Sequence, residues 1–206
     1  MISVLGRENS INVQKVMWTA TEIGCQVERT DIGGEFGGNE STKYLGLNPT
    51  GQIPTLLDGD YVLWESNAIV RYLSERYGSS PWQPKDQKLI YLGHQWMDFY
   101  STALHPVMTT IFWQLVRTPE KDRDKKVISI AHEKAKKLWN IVNEHLSCNK
   151  FILGPKATFS DVPLGCAAYR WHKLDIERPN FNYLKSWFTR LSERPAYKKH
   201  VMLPLT

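Results

Sequence analysis

Cysteine is scarce in this sequence of 206 residues, and the three cysteines that it has lie far apart. Cys25, Cys148 and Cys166 form an odd number and include no Cys-x-x-Cys pair. This pattern argues against a disulfide framework, a zinc knuckle and a dithiol redox site. It is typical of a protein that works in a reducing compartment, so we expect a cytoplasmic location.

Long hydrophobic runs and metal-ligand patterns are also lacking. No run approaches the roughly 18 apolar residues of a membrane-spanning helix, and residues 1–8 lack the apolar stretch of a signal peptide. The six histidines show no metal-ligand spacing. We therefore expect neither a membrane segment nor a bound metal.

A concentrated positive charge is the third feature that is missing. The formal net charge is +5, but the densest basic cluster, residues 121–126, is interrupted by Asp122 and Asp124. Because a nucleic-acid-binding face usually concentrates its charge, we expect no nucleic-acid partner. The mild positive balance suits a small anionic ligand. With 42% apolar and 23% charged residues, the composition is that of a globular protein with one large or two small domains.

The first 78 residues alternate short apolar runs with helical patterns. Asp58-Gly59-Asp60 between two apolar runs favours the tight turn of a β-hairpin. Gly24 is placed to end the first helix. The predicted elements are a strand at 2–5, a helix at 13–23, a strand at 26–32, a hairpin of strands at 55–57 and 61–64, and a helix at 66–78. Their order predicts an α/β thioredoxin-like domain at residues 1–78.

The second half of the chain has a different character. Residues 79–84, Ser-Ser-Pro-Trp-Gln-Pro, form the clearest linker. No convincing strand follows, so residues 85–206 are predicted to form an all-helical domain. Its predicted helices cover residues 85–116, 121–146, 160–172 and 180–193. Thr118 and Pro119 are expected to supply the N-cap and first-turn proline of the second of these helices. A cleft between two such domains is a usual place for a ligand.

The segment before the hairpin, residues 48–56, reads Asn-Pro-Thr-Gly-Gln-Ile-Pro-Thr-Leu. Pro54 cannot donate to a strand ladder, so it belongs at the start of the strand or at an edge. A cis bond between Ile53 and Pro54 would turn the backbone of Ile53 outward and free its N–H and C=O for an extended peptide. A trans bond is the more frequent state, and the segment alone is also consistent with a simple turn.

A second motif, Trp-Glu-Ser-Asn-Ala-Ile at residues 64–69, lies where a strand meets the start of a helix. Ser66 is a good cap or first-turn residue, which is a purely structural role. The N-terminus of a helix also offers free N–H groups to a carboxylate, and Glu65 is able to pair with an ammonium group. Together the two residues suit the head group of an amino acid.

The two motifs together, at this spacing, resemble the glutathione-binding pattern of the cytosolic glutathione transferase superfamily. The resemblance implies that Ile53, before a cis Pro54, pairs with the cysteinyl backbone of glutathione. It also implies that Glu65 and Ser66 hold the γ-glutamyl end and that Gln52 helps to hold the tripeptide. Glutathione would be the co-substrate, and the protein would be a homodimer.

Further residues enter through the same resemblance. Asn39, in the glycine-rich link, is expected to contact the glycyl end of glutathione. Arg7 either reaches the ligand or solvates its loop. Thr158 and Asp161 have the spacing of an N-capping box that the family carries late in its sequence, and we interpret them as structural.

The resemblance places the thiol-activating group after the first strand. Residues 6–13 contain no tyrosine and no cysteine, which sets aside the tyrosine-type classes and disfavours the cysteine-type classes. Ser10 and Asn12 remain, and their Ser-x-Asn spacing is similar to the Thr-x-Asn of certain bacterial members and, more loosely, to the serine-type members (theta/nu-like). Otherwise Ser10 is an N-cap and Asn12 a polar first-turn residue. Lowering a thiol pKa by about two units requires roughly 2.7 kcal/mol, and one hydrogen bond to a charged group supplies about 1.5–3 kcal/mol.

The second substrate would lie against the first long helix of the helical domain. Four side chains there are candidates for its pocket: His105, Met108, Phe112 and Trp113. Tyr100 on the same helix and Trp171 are weaker candidates, since most aromatic residues of such helices belong to the core. The sequence thus predicts a glutathione transferase that acts on a small hydrophobic electrophile. A glutathione-dependent disulfide or peroxide reductase and a non-enzymatic binding module are the alternatives.

Overall fold

A four-stranded mixed sheet forms the N-terminal half of the computed structural model, which describes residues 2–206. The strand order is β2-β1-β3-β4, with β1 parallel to β2 and antiparallel to β3. Gly59 turns the β3–β4 hairpin with a φ of 62°, which a residue with a Cβ adopts only under strain. The strands are β1 (Ile2–Leu5), β2 (Val27–Thr30), β3 (Thr55–Asp58) and β4 (Tyr61–Trp64).

Helices α1 (Ile11–Glu22) and α3 (Ser66–Tyr77) pack on one face of this sheet and on each other. Their apolar side chains join those of β1 and β3 in a small core that includes Val4, Val16 and Leu73, all fully buried. A short helix, α2 (Thr42–Leu47), interrupts the connection between β2 and β3. The predicted α/β thioredoxin-like arrangement is confirmed, but α2 was not predicted.

The rest of the described chain is helical. Helix α7 is the centre of this half, since all of its residues from 161 to 171 are buried. The helices are α4 (Gln87–Phe99), α5 (His105–Phe112), α6 (Lys125–His145), α7 (Asp161–Lys173), α8 (Asn182–Ser192) and α9 (Pro195–His200). Two π-helical segments, Tyr100–Leu104 and Trp113–Arg117, continue α4 and α5 without a break, so the predicted long helix at 85–116 is present in this form. No helix among residues 2–206 is long and apolar enough to cross a membrane.

One predicted helix start is wrong. Helix α6 begins at Lys125, and its N-cap is Asp124, whose carboxylate accepts hydrogen bonds from the N–H groups of residues 126 and 127. Asp124, which interrupts the basic cluster at residues 121–126, is thus the N-cap of α6. Thr118 and Pro119 instead precede a 3₁₀ turn at Glu120–Asp122. Helix α9, which starts at Pro195, was not predicted either.

Trp18 on the far face of α1 connects the two halves. Its ring lies in the core of the helical half, 4.8 Å between ring centroids from Tyr197 and 6.2 Å from Trp82. A Cβ at Gly165 of α7 would come within 2.8 Å of the Trp18 ring, so only glycine allows this approach. Arg194 donates to both carboxylate oxygens of Glu22 at 2.7 and 2.6 Å, which fixes the end of α1 as well.

Asp161, at the start of α7, is completely buried, and its carboxylate accepts hydrogen bonds from several segments around it. One carboxylate oxygen accepts hydrogen bonds from the Ile152 N–H at 3.0 Å and the Trp187 Nε1–H at 2.8 Å, and the other accepts from the Thr158 N–H at 2.9 Å. Only one of the two hydrogen bonds of the predicted capping box is therefore formed, the one from the Thr158 N–H to the Asp161 carboxylate. The Thr158 hydroxyl does not accept from the Asp161 N–H; it donates to the Asp161 Oδ2 at 3.2 Å and lies 2.7 Å from the Ser160 hydroxyl.

We expect Asp161→Ala to lower the free energy of unfolding by about 3–5 kcal/mol, because three buried N–H donors would lose their acceptor. Urea unfolding followed by circular dichroism measures this change. Asp175→Ala, at an exposed position, is the matched control and should change stability by less than about 0.5 kcal/mol. A loss in Asp161→Ala no greater than in the control would show that the carboxylate does not organise the helix start.

Candidate active site

The loop that follows β1 packs directly on the segment around Ile53. Its backbone continues the sheet, with the N–H groups of Gly6 and Arg7 donating to the carbonyls of Thr30 at 2.8 Å and Ile32 at 3.0 Å. A Cβ at Gly6 would lie 2.6 Å from a methyl group of Val13 and 3.3 Å from the Cβ of Ile53. Only a glycine lets the loop approach this closely, and it brings the start of α1 beside Ile53.

The bond between Ile53 and Pro54 is cis, the less frequent of the two alternatives considered from the sequence. The carbonyl of Gln52, just before it, is held by the Tyr44 hydroxyl at 2.6 Å and the Asn48 amide at 2.8 Å. Within residues 2–206, neither the N–H nor the C=O of Ile53 makes a hydrogen bond. A fixed backbone with a free donor and acceptor is suited to an extended peptide ligand.

Glu65 has the only positive φ of any non-glycine residue in the described chain, 68° with a ψ of 107°. Such a conformation costs about 1–3 kcal/mol and is concentrated at functional sites. The side chain of Glu65 is exposed and does not cap α3. Ser66, the first residue of α3, is only 6% exposed. The first free N–H groups of α3 therefore lie next to the Glu65 carboxylate. Together they suit a ligand group that carries both a negative and a positive charge.

The two predicted thiol-activating side chains lie at the N-terminus of α1. Ser10 occupies the N-cap position, and its carbonyl accepts from Gln14 N–H at 2.8 Å, but its hydroxyl forms no capping bond. The Asn12 Oδ1 accepts a hydrogen bond from the Ser66 hydroxyl at 3.3 Å, which leaves the Asn12 Nδ2 hydrogens as donors. The structure thus brings Asn12 and Ser66 together where the N-termini of α1 and α3 meet.

Asn39 and Arg7 each have a hydrogen-bond partner within the protein. The Asn39 Nδ2 donates to the Gly51 carbonyl at 2.9 Å, which ties the glycine-rich link to the segment before Ile53. Arg7 donates to Asn9, and its Nε is buried without a partner in the described chain. Burial, followed by the charge of Arg117, lowers the pKa of Arg7.

Lys15, one turn after Asn12, is a residue that sequence reasoning missed. It is 3% exposed, its Nζ donates to the Asn67 Oδ1 at 3.2 Å, and it lies 4.9 Å from the centroid of the Tyr100 ring. Burial lowers its pKa to about 8. The signal in the sequence was a lysine among the apolar helical positions of α1, which places a charge on the inner face.

The four side chains predicted for the second-substrate pocket differ in burial: Met108 and Phe112 are buried, His105 is partly buried and Trp113 is exposed. Met108 is 2% exposed and accepts from the Trp139 Nε1 at 3.5 Å. Phe112 is also buried, and His105 bonds to the Tyr100 hydroxyl at 2.9 Å. Burial lowers the pKa of His105 to about 4, so it is neutral at pH 7. Trp113 alone presents a broad surface, at 57% exposed.

The weaker candidates for this pocket are buried too, since Tyr100 and Trp171 are each 1% exposed. A cavity of about 220 Å³ does open beside the β1 loop. It is lined by Arg7, Asn9, Gly34, Glu35, Arg117 and Thr206. Arg117 therefore lines the cleft although it was not predicted. In the part of the chain that the structure describes, no group of three or more His, Cys, Asp and Glu side chains is placed to hold a metal ion.

Comparison with known proteins gives matches along the whole chain. Residues 2–75 match the family described as the N-terminal domain of glutathione S-transferase, and residues 104–195 match its C-terminal domain. Glutathione S-transferase GstB of Escherichia coli is 34% identical over the full length of both chains. Glutathione S-transferase 3 of Zea mays is 29% identical over 97% of this chain and 93% of its own.

A solved structure is also similar to this chain. It is that of the theta class glutathione S-transferase from the citrus canker pathogen Xanthomonas axonopodis pv. citri with glutathione bound. It superimposes with a TM-score of 0.96 at 41% identity, over 100% of this chain and 99% of that chain.

The buried Lys15 should leave a pH signature on stability. Its pKa in the folded protein, about 8, lies below the value of about 10.5 expected for the unfolded chain. Between these values the unfolded chain binds more protons, so stability rises with pH. Relative to Lys15→Met, the unsubstituted protein should gain about 2 kcal/mol of unfolding free energy from pH 7 to pH 10.

Urea unfolding at several pH values measures this difference, because groups shared by the two proteins cancel. Lys156→Met, at an exposed position, is the control and should run parallel to the unsubstituted protein. A difference between Lys15→Met and the unsubstituted protein that does not change with pH would mean that Lys15 keeps its ordinary pKa in the folded state.

Proposed function

Because this chain belongs to the cytosolic glutathione S-transferase superfamily and is a glutathione S-transferase, we propose which of its residues carry out the reaction. Glutathione binds in the cleft beside Ile53, and its thiolate attacks an electrophilic small molecule. The observation that carries the proposal is the convergence of three features at one place. They are the free backbone of Ile53, the strained Glu65 with the N-terminus of α3, and the hydrogen-bond donors that Ser10 and Asn12 keep free at the start of α1.

In this proposal each end of glutathione meets a group of matching chemistry. The γ-glutamyl carboxylate accepts hydrogen bonds from Ser66 and the first N–H groups of α3, while the ammonium group pairs with Glu65. The cysteinyl backbone pairs with the N–H and C=O of Ile53, next to Pro54, in the manner of an added strand. Gln52, which is exposed beside this segment, and the residues around Asn39 and Arg7 contact the glycyl end.

The thiol is activated by hydrogen bonds from the start of α1. Ser10 is the main donor, because its hydroxyl has no partner in the described chain, and Asn12 assists through its Nδ2. The positive end of α1 adds a smaller stabilisation of the thiolate. The proton of the thiol leaves to solvent, the thiolate sulfur forms a bond to the electrophilic carbon, and the leaving group departs with the electron pair of its bond.

Our proposal for the wider setting rests on family membership. We infer a cytoplasmic enzyme of detoxification that works as a homodimer, with the thioredoxin-like domain (1–78) of one subunit against the helical domain (85–206) of the other. The linker is at 79–84. Exposed aromatic side chains on both domains support such an interface, among them Tyr61 and Tyr77 on the first and Tyr91 on the second.

Replacing the two donors separately should reveal their roles. We expect Ser10→Ala to lower kcat for conjugation about 10- to 100-fold, the equivalent of one hydrogen bond to a charged group, without raising KM for glutathione. Asn12→Ala should lower kcat less but raise KM for glutathione, because it also removes the acceptor of the Ser66 hydroxyl. Steady-state kinetics measure both, and ultraviolet absorbance of the bound thiolate against pH reports the accompanying rise in thiol pKa.

Ser186→Ala, which removes an exposed hydroxyl from α8, is the matched control and should match the unsubstituted enzyme. The assignment is wrong if neither Ser10→Ala nor Asn12→Ala lowers turnover tenfold. The same proteins should be assayed for disulfide and peroxide reduction with glutathione. Reduction that exceeds conjugation with every electrophile tried would favour a glutathione-dependent reductase over a conjugating enzyme.

A further inference from the structure

Three arginines near the β1 loop have no carboxylate partner. Arg7, Arg117 and Arg170 form no ion pair within 4.0 Å in the described chain. Other arginines do find such partners, for example Arg71 with Asp98 and Arg194 with Glu22. Four other arginines also form no ion pair in the described chain, but Arg123, Arg178 and Arg190 donate to backbone carbonyls instead. The fourth, Arg76, is exposed.

Arg170 is the least expected of the three. It lies on α7, the most buried helix, and is itself only 9% exposed. Its guanidinium lies 3.8 Å above the centroid of the Phe112 ring but donates no hydrogen bond to any described residue. None of its nitrogens is among the described side-chain atoms that are both buried and unpartnered, so its N–H groups reach solvent-accessible space and are free to bind an anion.

The Arg117 guanidinium lies 5.7 Å from the centroid of the same Phe112 ring, and together with Arg7 it lines the wall of the 220 Å³ cavity beside the β1 loop. The charges of the three arginines act on one another: Arg117 lowers the pKa of Arg7, and both lower the pKa of Arg170 after the larger effect of burial. Glu35 is the one acidic side chain in that cavity wall as described, and its carboxylate does not reach any of the three. With two arginines and one carboxylate, the side chains of the cavity wall carry a net positive charge.

The location of these charges separates them from the proposed γ-glutamyl and cysteinyl contacts. Ile53, Glu65 and Ser66 belong to the thioredoxin-like half, whereas Arg117 and Arg170 belong to the helical half. Arg117 also lies 6.0 Å from the centroid of the Trp113 ring, the one broad aromatic surface among the predicted pocket residues. A cation beside an exposed aromatic ring suits a molecule with an apolar body and an acidic group.

We propose that the second substrate of this enzyme is an electrophile that carries a carboxylate, which Arg117 and Arg170 bind with Arg7 beside them. This inference rests on the proposed function, since it names the substrate class of the same site. The carboxylate takes no part in bond making. The thiolate sulfur bonds to the electrophilic carbon, and a leaving group such as chloride departs with its electron pair, while the arginines fix the position of that carbon.

Two chloroarenes that differ in one group test this proposal. 4-Chloro-3-nitrobenzoate and 4-chloro-3-nitrobenzamide both lose chloride to a thiolate, but only the first is an anion. After correction for their uncatalysed rates with glutathione, we expect kcat/KM to be at least tenfold higher for the benzoate. Arg117→Gln and Arg170→Gln should each remove most of this preference, because a hydrogen bond to a charged group is worth roughly tenfold in kcat/KM. The kcat/KM for the benzamide and the KM for glutathione should stay within about twofold.

Arg76→Gln, an exposed arginine on α3, is the control and should leave both substrates unchanged. Arg117 is exposed as well, so its replacement keeps the test informative if Arg170→Gln does not fold. Equal losses for benzoate and benzamide would overturn the inference. A rise in KM for glutathione in both variants would also overturn it, because the arginines would then bind glutathione itself.

A neutral reference electrophile, 1-chloro-2,4-dinitrobenzene, separates this inference from the proposed function. Conjugation of the reference compound without any preference for the benzoate would overturn the inference and leave the proposed function intact. Failure to conjugate any of the three compounds, together with no binding of glutathione by calorimetry, would overturn the proposed function itself.

Discussion

Helix α1 is the element on which the rest of this structure depends, because it belongs to two cores at once. Its inner face completes the small core of the sheet through Val13 and Val16. Trp18 enters the core of the helical half, where a glycine on α7 leaves room for its ring. The distance between the two halves is therefore set by tight packing, to which Trp82 of the linker also contributes, and tightly packed interiors tolerate little displacement. Since the N-terminus of α1 carries Ser10 and Asn12, the same packing positions the site.

The cleft contains residues in a strained backbone conformation and residues whose charge is largely buried, and both lower the stability of the fold. On the thioredoxin-like side, Glu65 adopts a positive φ and Ile53 leaves both of its backbone hydrogen-bonding groups free. Lys15 on α1 and Arg170 on α7 carry charge at positions that are only 3% and 9% exposed. None of these features stabilises the fold on its own, which is the usual relation between stability and a functional site.

Much of the ligand-binding half was predictable from the sequence because its signals are local. The Asp58-Gly59 turn, the short strands and the segments around Ile53 and Ser66 each act within a few residues, and the predicted sheet is present. The short helix α2 and the cap at Asp124 were missed although their signals are local, since Ser41 and Asp124 each accept hydrogen bonds from residues two or three positions ahead. The π-helical segments were missed because the helical pattern at 85–116 is continuous. The hydrogen bond between the Ser66 and Asn12 side chains joins residues 54 positions apart, so no local sequence pattern predicts it.

The residues that decide substrate choice were the least accessible to sequence reasoning, for a physical reason. An aromatic or methionine residue on a helix signals apolar burial, so His105, Met108 and Phe112 suggested a pocket, although Met108 and Phe112 are in the core. Arginines on a helix usually signal solvent exposure, and Arg170 gave no hint that it is buried. The property that distinguishes it is its burial against the Phe112 ring, which belongs to the folded arrangement. The positive charge that such residues leave in the cleft favours the glutathione thiolate as well as an acidic electrophile, since both are anions at the moment of reaction.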